Sequence, residues 1–518
     1  MKVIITKPGD RYLGHVLKEL PSNTILDKGM TGIGATTLEI EADRHSIIAV
    51  PFVNMIKNKG EQHSNIIRVY GDMTSQDIQH EVYLKLRSKS YVKIMVTYDS
   101  LYKLLEISAI DVTKECFLLI DEYHILLLQY MFRNKAIVKL LELAKKFENV
   151  CYMSATSLTD NIQLEELKDL PVLRIDWPHF SNIKIHIHEA KYVKAVIRNM
   201  IEKRIKGKEY GNYHIFYNSV YSIAQIIRKL KMDPNNVKVV CRDSPENRKK
   251  LSSKYPISKN LLEAKLINFY TSTAFEGCDI YDTEGRIFIV SDPNTEHTMN
   301  DIAITIPQIC GRIRNSKYID EIYHICSPTN GRYTKHKNLD SFIEYVSNTE
   351  IEGKEQIVLW DMWPDIKKER AINDYDILNG LCNIYLRKNL PTAIYEPNFR
   401  IHDIHNYMVV SQMYSSKIAI LKEHEKNGFV VSRSISVNIK EGRKISFETA
   451  YSTYCILRDI VKPTEIELNT IDKIELYDKL VADAYKWLSP EKVRAVRYRR
   501  TAVNKAIERQ KKLERFIP

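Results

Sequence analysis

Short apolar segments alternate with helical patterns through roughly the first 330 residues. These segments are rich in β-branched and aromatic residues and are apolar almost without interruption, which is typical of strands buried on both faces of a parallel sheet. The predicted strands lie at 46–52, 92–98, 116–122, 149–156, 213–218, 238–242, 266–272 and 286–292. Helical periods such as residues 221–232 separate several of them. The alternation predicts an α/β fold with parallel sheets covered by helices.

The alternation is interrupted at one place and fades at another. Residues 167–190 contain two prolines followed by a charged stretch, and we predict a domain joint in or beside them. Beyond about residue 330 the pattern becomes mainly helical, with a β-hairpin predicted at 429–449, where alternating residues flank a glycine-containing turn. The predicted domains are residues 1–170, 171–330 and 331–518.

The amino-acid composition is that of a soluble globular protein. The chain has 518 residues, of which 44% are hydrophobic and 27% charged, as in soluble globular proteins, and it is too long for one core. No stretch approaches the ~20 apolar residues of a membrane span, and the N-terminus lacks the features of a secretory signal. The eight cysteines form no C-x-x-C pair, which argues against a zinc ribbon or a disulfide framework. We therefore expect a cytoplasmic protein that does not act at a membrane.

The net charge of +12 indicates a polyanionic partner. Much of it lies in the last 28 residues, which hold ten Lys and Arg against three Glu. Val493, Val496, Val503 and Ile507 recur there at helical spacing, so this tail is interpreted as a basic amphipathic helix. The helix either packs on the body of the protein with a solvated face or contacts nucleic acid.

The stretch "KGMTGIGATTLE", residues 28–39, has the glycine spacing and the hydroxyl residues of a phosphate-binding loop. Backbone N–H groups of such a loop, and the helix that follows it, attract phosphate. Alanine, however, stands where the lysine of such a loop belongs. The residues predicted to contact a nucleotide here are Lys28, Gly29, Gly32, Gly34, Ala35, Thr36 and Thr37.

Two further segments end in residues that suit a phosphate site. The strand "CFLLIDEYH" ends in Asp121 and Glu122, at the edge where open α/β sheets bind ligands. There one carboxylate can hold Mg²⁺ and its neighbour can orient a water, although a solvated turn would show the same letters. The strand "CYMSAT" (151–156) ends in small hydroxyl residues that can hydrogen-bond a neighbouring strand end.

The last two motifs follow in "TSTAFEGCDIYD" (271–282) and "IPQICGRIRN" (306–315). The first has Gly277 and Asp279 after a predicted strand. The second offers Gln308, Arg312 and Arg314, and its two arginines can reach phosphate oxygens. An arginine directed across a cleft stabilises the charge that develops during phosphoryl transfer.

In this order and at these spacings, the glycine loop, D-E-x-H, S-A-T and Q-x-x-G-R-x-R resemble motifs I, II, III and VI of superfamily 2 helicases. The resemblance covers residues ~28–315, and "QICGRIR" is similar to motif VI of the herpesvirus origin-binding helicases. It implies two tandem RecA-like domains with ATP and Mg²⁺ between them. In it, Thr36 and Asp121 hold Mg²⁺, Glu122 activates water with Gln308 beside it, Gly277 and Asp279 line the nucleotide site, and Arg312 and Arg314 reach the phosphates.

The resemblance also implies contacts with a nucleic-acid backbone. The segments 49–59, 96–105, 215–227 and 271–282 are similar to the family's motifs Ia, Ib, IV and V. Any one of their polar residues has simple strand-end capping as its alternative role. The implied nucleic-acid contacts are Asn54, Thr97, Ser100, Asn218, Ser219 and the residues Thr271 to Thr273.

Three interpretations of the missing lysine stay open. In the first, Lys28 at the front of the loop folds back over the phosphates, as the front lysine of the partitioning ATPases does. In the second, the protein binds nucleotide but hydrolyses it poorly or not at all. In the third, the loop is only a tight turn. The presence of Glu122 and the two arginines favours the first, because a chain that does not hydrolyse has no need of them.

The expected function is that of an ATP-dependent helicase or translocase. DNA is expected rather than RNA, and the resemblance together with a Lys-, Ile-, Asn- and Tyr-rich composition suggests a phage or other mobile element, acting in the host cytoplasm. Residues 331–518 are then a candidate surface for replication proteins. The alternatives are a nucleic-acid-binding scaffold with a degenerate site, a motor coupled to a nuclease or packaging machine, and a translocase that does not separate strands.

Overall fold

The computed structural model divides the chain into two units, Met1–Ile439 and Lys440–Pro518. Both large sheets belong to the first unit, and the second is helical in its described part. The structure describes residues 1–178, 183–258, 263–277, 279–329, 336, 338–348, 362, 384–386, 393–395, 397–437, 447–459, 471, 474 and 479–514.

The first sheet consists of eight parallel strands in the order β1-β8-β2-β7-β6-β3-β5-β4. Successive apolar residues of one strand alternate between two cores: Ile47 and Ala49 face one, and Ile48 and Val50 face the other. Both faces of the sheet are therefore buried, as the near-continuous apolar strands predict. The strands are Lys2–Ile5 (β1), Thr24–Asp27 (β2), Ser46–Val50 (β3), Ile66–Val69 (β4), Lys93–Thr97 (β5), Phe117–Asp121 (β6), Val150–Ser154 (β7) and Val172–Asp176 (β8).

Helices connect these strands and cover the sheet. The third of them shows how the sequence sets a helix start, because Thr74 and Asp77 form a reciprocal capping box. The helices are Ala35–Glu41 (α1), Val53–Gln62 (α2), Ser75–Arg87 (α3), Val112–Glu115 (α4), His124–Leu128 (α5) and Tyr130–Ala144 (α6), with 3₁₀ segments at Leu13–His15, Tyr98–Glu106, Asp160–Ile162 and Glu165–Leu167.

The second sheet has seven parallel strands in the order β11-β12-β10-β14-β16-β9-β19. Two short parallel strands, β13 and β15, form a separate pair, as do the antiparallel β17 and β18. The strands are Lys184–Glu189 (β9), Asn212–Phe216 (β10), Val237–Val240 (β11), Ile267–Tyr270 (β12), Ile280–Tyr281 (β13), Gly285–Ser291 (β14), Ile313–Arg314 (β15), Glu321–Cys326 (β16), Ile384–Leu386 (β17), Ala393–Tyr395 (β18) and Val430–Ser436 (β19).

The helices of this domain again cover a sheet that is apolar on both faces. Ser219 and Ser244 cap two of them by accepting backbone N–H bonds. The helices are Val193–Ile205 (α7), Val220–Lys229 (α8), Pro245–Leu251 (α9) and Thr305–Cys310 (α10), with 3₁₀ segments at Pro234–Asn236, Ser272–Ala274 and Glu296–Thr298.

The first unit thus contains two tandem RecA-like parallel-sheet domains, and the chain passes from the first sheet to the second between Asp176 and Lys184. The chain returns to both domains after residue 396, in Pro397–Tyr407 (α11), a π-helix at Met408–Met413, and Lys417–Lys426 (α12). Ile401 and Ile404 join a core of the first domain, whereas Val409 and Met413 join a core of the second. This segment is therefore part of the packing of both domains.

The hairpin predicted at 429–449 stays a prediction, because its second strand falls on residues outside the described part of the chain. Its first half is β19, which pairs in parallel with β9 at the edge of the second sheet. Its last residues, from Phe447, are helical, and residues 438–446 lie outside the described part of the chain. The partner that the structure describes for residues 430–436 is therefore a strand that lies far away in the sequence.

The second unit is built around an apolar core of its own. The basic tail forms two helices rather than one, and Val493, Val503 and Ile507 are buried in this core. Its helices are Phe447–Arg458 (α13), Lys479–Trp487 (α14), Pro490–Ala495 (α15) and Arg500–Glu514 (α16). Across the described residues of both units, no helix combines the length and apolar character that crossing a membrane requires.

Candidate nucleotide site

The glycine loop follows β2, whose neighbours in the sheet are β7 and β8. Gly29, Gly32 and Gly34 have φ values of +71°, +75° and +74°, a left-handed conformation that favours glycine. At Gly29 a side chain is excluded sterically as well, because a Cβ atom would lie 2.2 Å from the carbonyl oxygen of Ile175. These positions keep the loop tight at the carboxyl edge of the sheet.

Lys28 is buried, and its amino group lies between two carboxylates. Its Nζ is 3.5 Å from Asp121 Oδ1 and 3.3 Å from Glu122 Oε1. Burial disfavours the charge of Lys28, but Glu122 and Asp121 outweigh it and raise the pKa of the amino group. Its backbone is held by a bond from its N–H to the Ser154 carbonyl (2.8 Å) and one from the Trp177 indole to its own carbonyl (2.8 Å).

Asp121 ends β6 and meets the glycine loop through a hydroxyl. Thr36 Oγ1 donates to Asp121 Oδ2 at 2.7 Å. Burial raises the pKa of Asp121 against the opposing effect of Lys28. Because Thr36 lies in the first turn of α1, directly after the loop, this bond brings motifs 85 residues apart to one point.

Glu122 has a backbone that non-glycine residues seldom adopt, with φ +58°. Such conformations cluster at functional sites, where surrounding contacts enforce them. Its Oε2 accepts a bond from Gln308 Nε2 at 3.2 Å, and Gln308 belongs to the second domain. Burial opposes its ionisation, but Lys28, His124 and Arg312 together lower its pKa. Glu122 is therefore a carboxylate held by groups from both domains.

The S-A-T segment organises the same region. Ser154 Oγ lies 2.8 Å from His124 Nδ1 and accepts the backbone N–H of Thr156 at 3.0 Å, while Thr156 Oγ1 accepts from Gln308 Nε2 at 3.2 Å. On its other side His124 Nε2 lies 3.3 Å from Glu276 Oε1 of the second domain. Glu276 was not predicted from the sequence; its only signal is an acidic residue beside Gly277.

The two arginines of the second domain have different surroundings. Arg312 is buried, and its Nε donates to the Gln308 carbonyl at 2.8 Å. Arg314 is bound to Asp279 through Nε (3.0 Å) and Nη2 (2.9 Å). Arg314 also covers the glycine loop so closely that a Cβ atom on Gly32 would lie 2.6 Å from its Nη1. Arg314 and Asp279 thus form a pair against the loop.

The remaining predicted nucleotide-binding residues flank this centre. The side chain of Ala35 is buried in an apolar cluster with Ile33 and Trp177. Thr37 Oγ1 accepts a bond from Lys59 Nζ at 3.0 Å. Gly277 has φ +67°, and a Cβ atom there would lie 2.4 Å from Cγ of Met55, so α2 of the first domain packs directly on the second.

The predicted nucleic-acid contacts lie at or beyond the carboxyl ends of the strands, and most of them make local bonds. Thr97 and Ser100 are buried and bond to each other (3.1 Å), and Thr271 is buried beside Thr273. Ser219 caps α8. Asn218 accepts from the Ser272 N–H (3.1 Å) and donates to the His297 carbonyl (3.0 Å), and Asn54 is exposed on α2. Several of them therefore have local hydrogen-bond partners, and nucleic-acid contact stays a prediction.

The described residues contain no cluster of three or more His, Cys, Asp and Glu side chains placed to hold a metal ion. A magnesium ion in a nucleotide site needs fewer protein ligands, since phosphate oxygens and waters complete its shell. The hydroxyl of Thr36 and the carboxylate of Asp121 converge to within 2.7 Å, and Asp121 is one of two adjacent carboxylates. This pair of oxygens fits Mg²⁺ bound together with a nucleotide.

Among known proteins, only solved structures show a similarity to this chain. No family model matches the sequence, and no curated protein matches it. The solved structures similar to this chain include the Mycobacterium smegmatis helicase Lhr bound to ssDNA and AMP-PNP, with TM-score 0.38, 12% identity, and 90% of this chain and 70% of that one covered.

Two further solved structures are also similar to this chain. S. cerevisiae Dbp5 bound to RNA and ADP BeF3 has TM-score 0.39 and 12% identity, covering 61% of this chain and 82% of its own. The Escherichia coli DEAH/RHA helicase HrpB has TM-score 0.35 and 15% identity, covering 60% and 42%. At such values similarity carries no information about the reaction, which depends on the side chains described above.

Proposed function

We propose that this chain is an ATP-dependent nucleic-acid translocase or helicase that binds ATP between its two RecA-like domains. The observation that carries the proposal is the convergence on Glu122 of Lys28 from the glycine loop and Gln308 from the second domain. A buried carboxylate with a left-handed backbone and partners from both domains suits a group whose environment changes as a cleft opens and closes.

In hydrolysis, water attacks the γ-phosphorus, the bond to the β,γ-bridging oxygen breaks, and ADP and phosphate leave. Glu122 orients the water and accepts its proton, and Gln308 holds the Glu122 carboxylate in the required direction. Arg312 faces the same carboxylate from the second domain and stabilises charge that develops on the transferred phosphoryl group. Mg²⁺ bound by Thr36 and Asp121 would neutralise phosphate charge.

Lys28 supplies the positive charge that a lysine at position 35 would provide in the usual phosphate-binding loop. Its amino group is held at the two carboxylates that the phosphates and their metal ion would face, and it is charged. When a nucleotide is bound, phosphate oxygens compete for this ammonium with Asp121 and Glu122. A lysine supplied from position 28 therefore fits this site better than a nucleotide site that has no lysine.

The proposed coupling to nucleic acid rests on the resemblance of the motifs at the carboxyl ends of the two sheets. Closure of the cleft around ATP and its release after hydrolysis would move the two domains along one strand, through backbone contacts that carry no sequence code. We also propose, from the resemblance of the motifs alone, that the strand is DNA and that the process is phage replication, recombination or repair.

The direct test is ATP hydrolysis measured with ssDNA, dsDNA and RNA as stimulants. The expected result is turnover stimulated most by ssDNA and abolished in Glu122→Gln, with nucleotide binding retained in that variant. Turnover in Glu122→Gln equal to wild type would contradict the proposed mechanism. Nucleotide binding without any turnover under all three conditions would instead favour a nucleic-acid-binding scaffold with a degenerate site. The reason to consider this alternative is that Ala35 occupies the position of the usual lysine.

The position of Lys28 has its own test. Lys28→Ala is expected to lose ATP turnover, and Lys28→Arg to retain part of it, because an arginine keeps the charge in a different geometry. Unchanged turnover in Lys28→Ala would exclude the relocated lysine while leaving the rest of the proposal intact.

A further inference from the structure

A second lysine reaches the glycine loop from a different element. Lys59 lies on α2 and donates from Nζ to Thr37 Oγ1 at 3.0 Å and to Gln62 Oε1 at 3.3 Å. Thr37 directly follows Thr36, the residue that contacts Asp121. An ammonium has three N–H donors, so a third remains to be directed at a ligand.

The charged groups around Lys59 are those of the nucleotide site. Burial lowers the pKa of Lys59, the carboxylates of Asp279 and Asp121 oppose this, and Arg314 and Lys28 add to it. Two acidic and two basic groups from the loop, from β6 and from the second domain therefore all act on this ammonium. Lys59 belongs to the same electrostatic centre although its side chain starts outside the loop.

The helix that carries Lys59 is fixed between the domains. Met55 contacts Gly277 so closely that a Cβ atom on that glycine would overlap its side chain. Ile56, one position further, is buried in a core of the first domain. With α2 held on both sides, the Lys59 side chain has a defined origin from which to reach Thr37.

We propose that Lys59 is a phosphate-binding residue of this site, which together with Lys28 supplies the positive charge that Ala35 does not. This inference rests on the proposed function. The ligand is the polyphosphate of a nucleoside triphosphate, and the contact replaces or extends the bond from Lys59 to Thr37. The ammonium of Lys28 thus lies at Asp121 and Glu122, and the ammonium of Lys59 lies at Thr37.

There is a physical reason for two lysines outside the loop in place of one at position 35. A lysine at position 35 would place one charge within the loop itself, whereas the side chain of Ala35 is buried among apolar neighbours. Two lysines from outside the loop leave that cluster intact. Because Lys59 comes from α2, its contact also depends on the packing of α2 against the second domain at Gly277.

The experiment measures equilibrium binding of a fluorescent ATP analogue, and KM and kcat of ATP hydrolysis, in the full-length chain. The variants are Lys59→Ala, Lys59→Arg and Lys28→Ala. The matched control is Lys57→Ala, on the same helix with an exposed side chain. Thermal unfolding and circular dichroism verify that each variant is folded.

The expected result is at least tenfold weaker analogue binding and a raised KM in Lys59→Ala, with binding restored substantially in Lys59→Arg and unchanged in Lys57→Ala. Binding in Lys59→Ala equal to that of Lys57→Ala would overturn the inference, and loss in Lys28→Ala in the same series would leave the proposed function standing. A wild-type chain that binds no analogue would contradict both together.

Discussion

The side-chain amide of Gln308 donates to Glu122 Oε2 at 3.2 Å, across the junction of the two RecA-like domains. The same nitrogen lies 3.2 Å from Thr156 Oγ1, so one amide joins the acidic motif and the S-A-T segment of the first domain to the arginine segment of the second. All three residues are buried. Separation of the domains must break both bonds, which makes this glutamine a reporter of closure.

Replacing Gln308 by alanine is expected to lower kcat for ATP about 100-fold and to change KM little. The carboxylate of Glu122 would lose its directing bond, and misplacement of a catalytic group by about 1 Å costs on the order of 100-fold. Steady-state kinetics measures this. Gln225→Ala, on α8 of the same domain and bonded to Lys194, is the control and should match wild type. An equal decrease of kcat in both variants would show that the effect comes from a loss of domain stability.

Moving the lysine to the usual place should not restore function. In the double variant Lys28→Ala/Ala35→Lys, the new side chain starts in an apolar cluster, where an ammonium is costly to bury. We expect lower thermal stability than in Lys28→Ala alone and no recovery of ATP turnover. Recovery of turnover would show that the loop accepts a lysine at either position, and that the present arrangement is only one of two equivalent solutions.

Gly32→Ala tests the contact between the loop and Arg314. The left-handed backbone alone costs an alanine roughly 1–2 kcal/mol, and the added Cβ atom would displace the guanidinium, which lies 2.6 Å away. Gly71→Ala is a matched control, since Gly71 has φ +63° with nothing within 4 Å of a Cβ atom. Both variants should unfold more easily, but only Gly32→Ala should lose ATP turnover. Equal turnover in the two would exclude a functional role for the contact.

Asp27 makes the stability of the first domain depend on pH. Burial raises the pKa of this carboxyl to about 6, against the opposing effect of Arg174. A raised pKa means that the folded state holds the proton more tightly, so the contribution of Asp27 to stability falls as pH rises from about 4 to 6 and is constant above.

Asp27→Asn removes this dependence while keeping an acceptor for the Gly29 N–H, which bonds Asp27 Oδ1 at 3.0 Å. The variant should gain stability relative to wild type between pH 4 and pH 6, by roughly 3 kcal/mol at most, less the weak ion pair with Arg174. Denaturant unfolding at a series of pH values measures it. A constant difference between the two proteins across that range would contradict the raised pKa.

The parts of the site that the sequence predicts are those carried by local pattern. Asp121 stands at the end of an apolar run, and β6 ends at that residue. In a parallel sheet the carboxyl ends of neighbouring strands share an edge, so Asp121 and Ser154 could be expected near each other. The order of the motifs then supplied the resemblance to helicases, and with it two tandem sheets.

Contacts between side chains far apart in sequence leave no such pattern. The bond of Lys59 to Thr37 and the contact of His124 with Glu276 depend on how α2 and the second domain dock, which periodicity does not encode. The pairing of β19 with β9 could not be predicted for a related reason. Alternation shows that a strand is half-buried, but it does not identify a partner that lies so far away in the sequence.

The pairing of β19 with β9 has a consequence for any attempt to isolate the two RecA-like domains. A shortened chain ending near residue 330 would contain every motif named above, yet β9 would become an open edge, and its backbone N–H and C=O groups that now bond β19 would have no partner. Such edges recruit strands from other molecules. We therefore expect a fragment that contains both RecA-like domains to need residues up to about 437 in order to stay soluble.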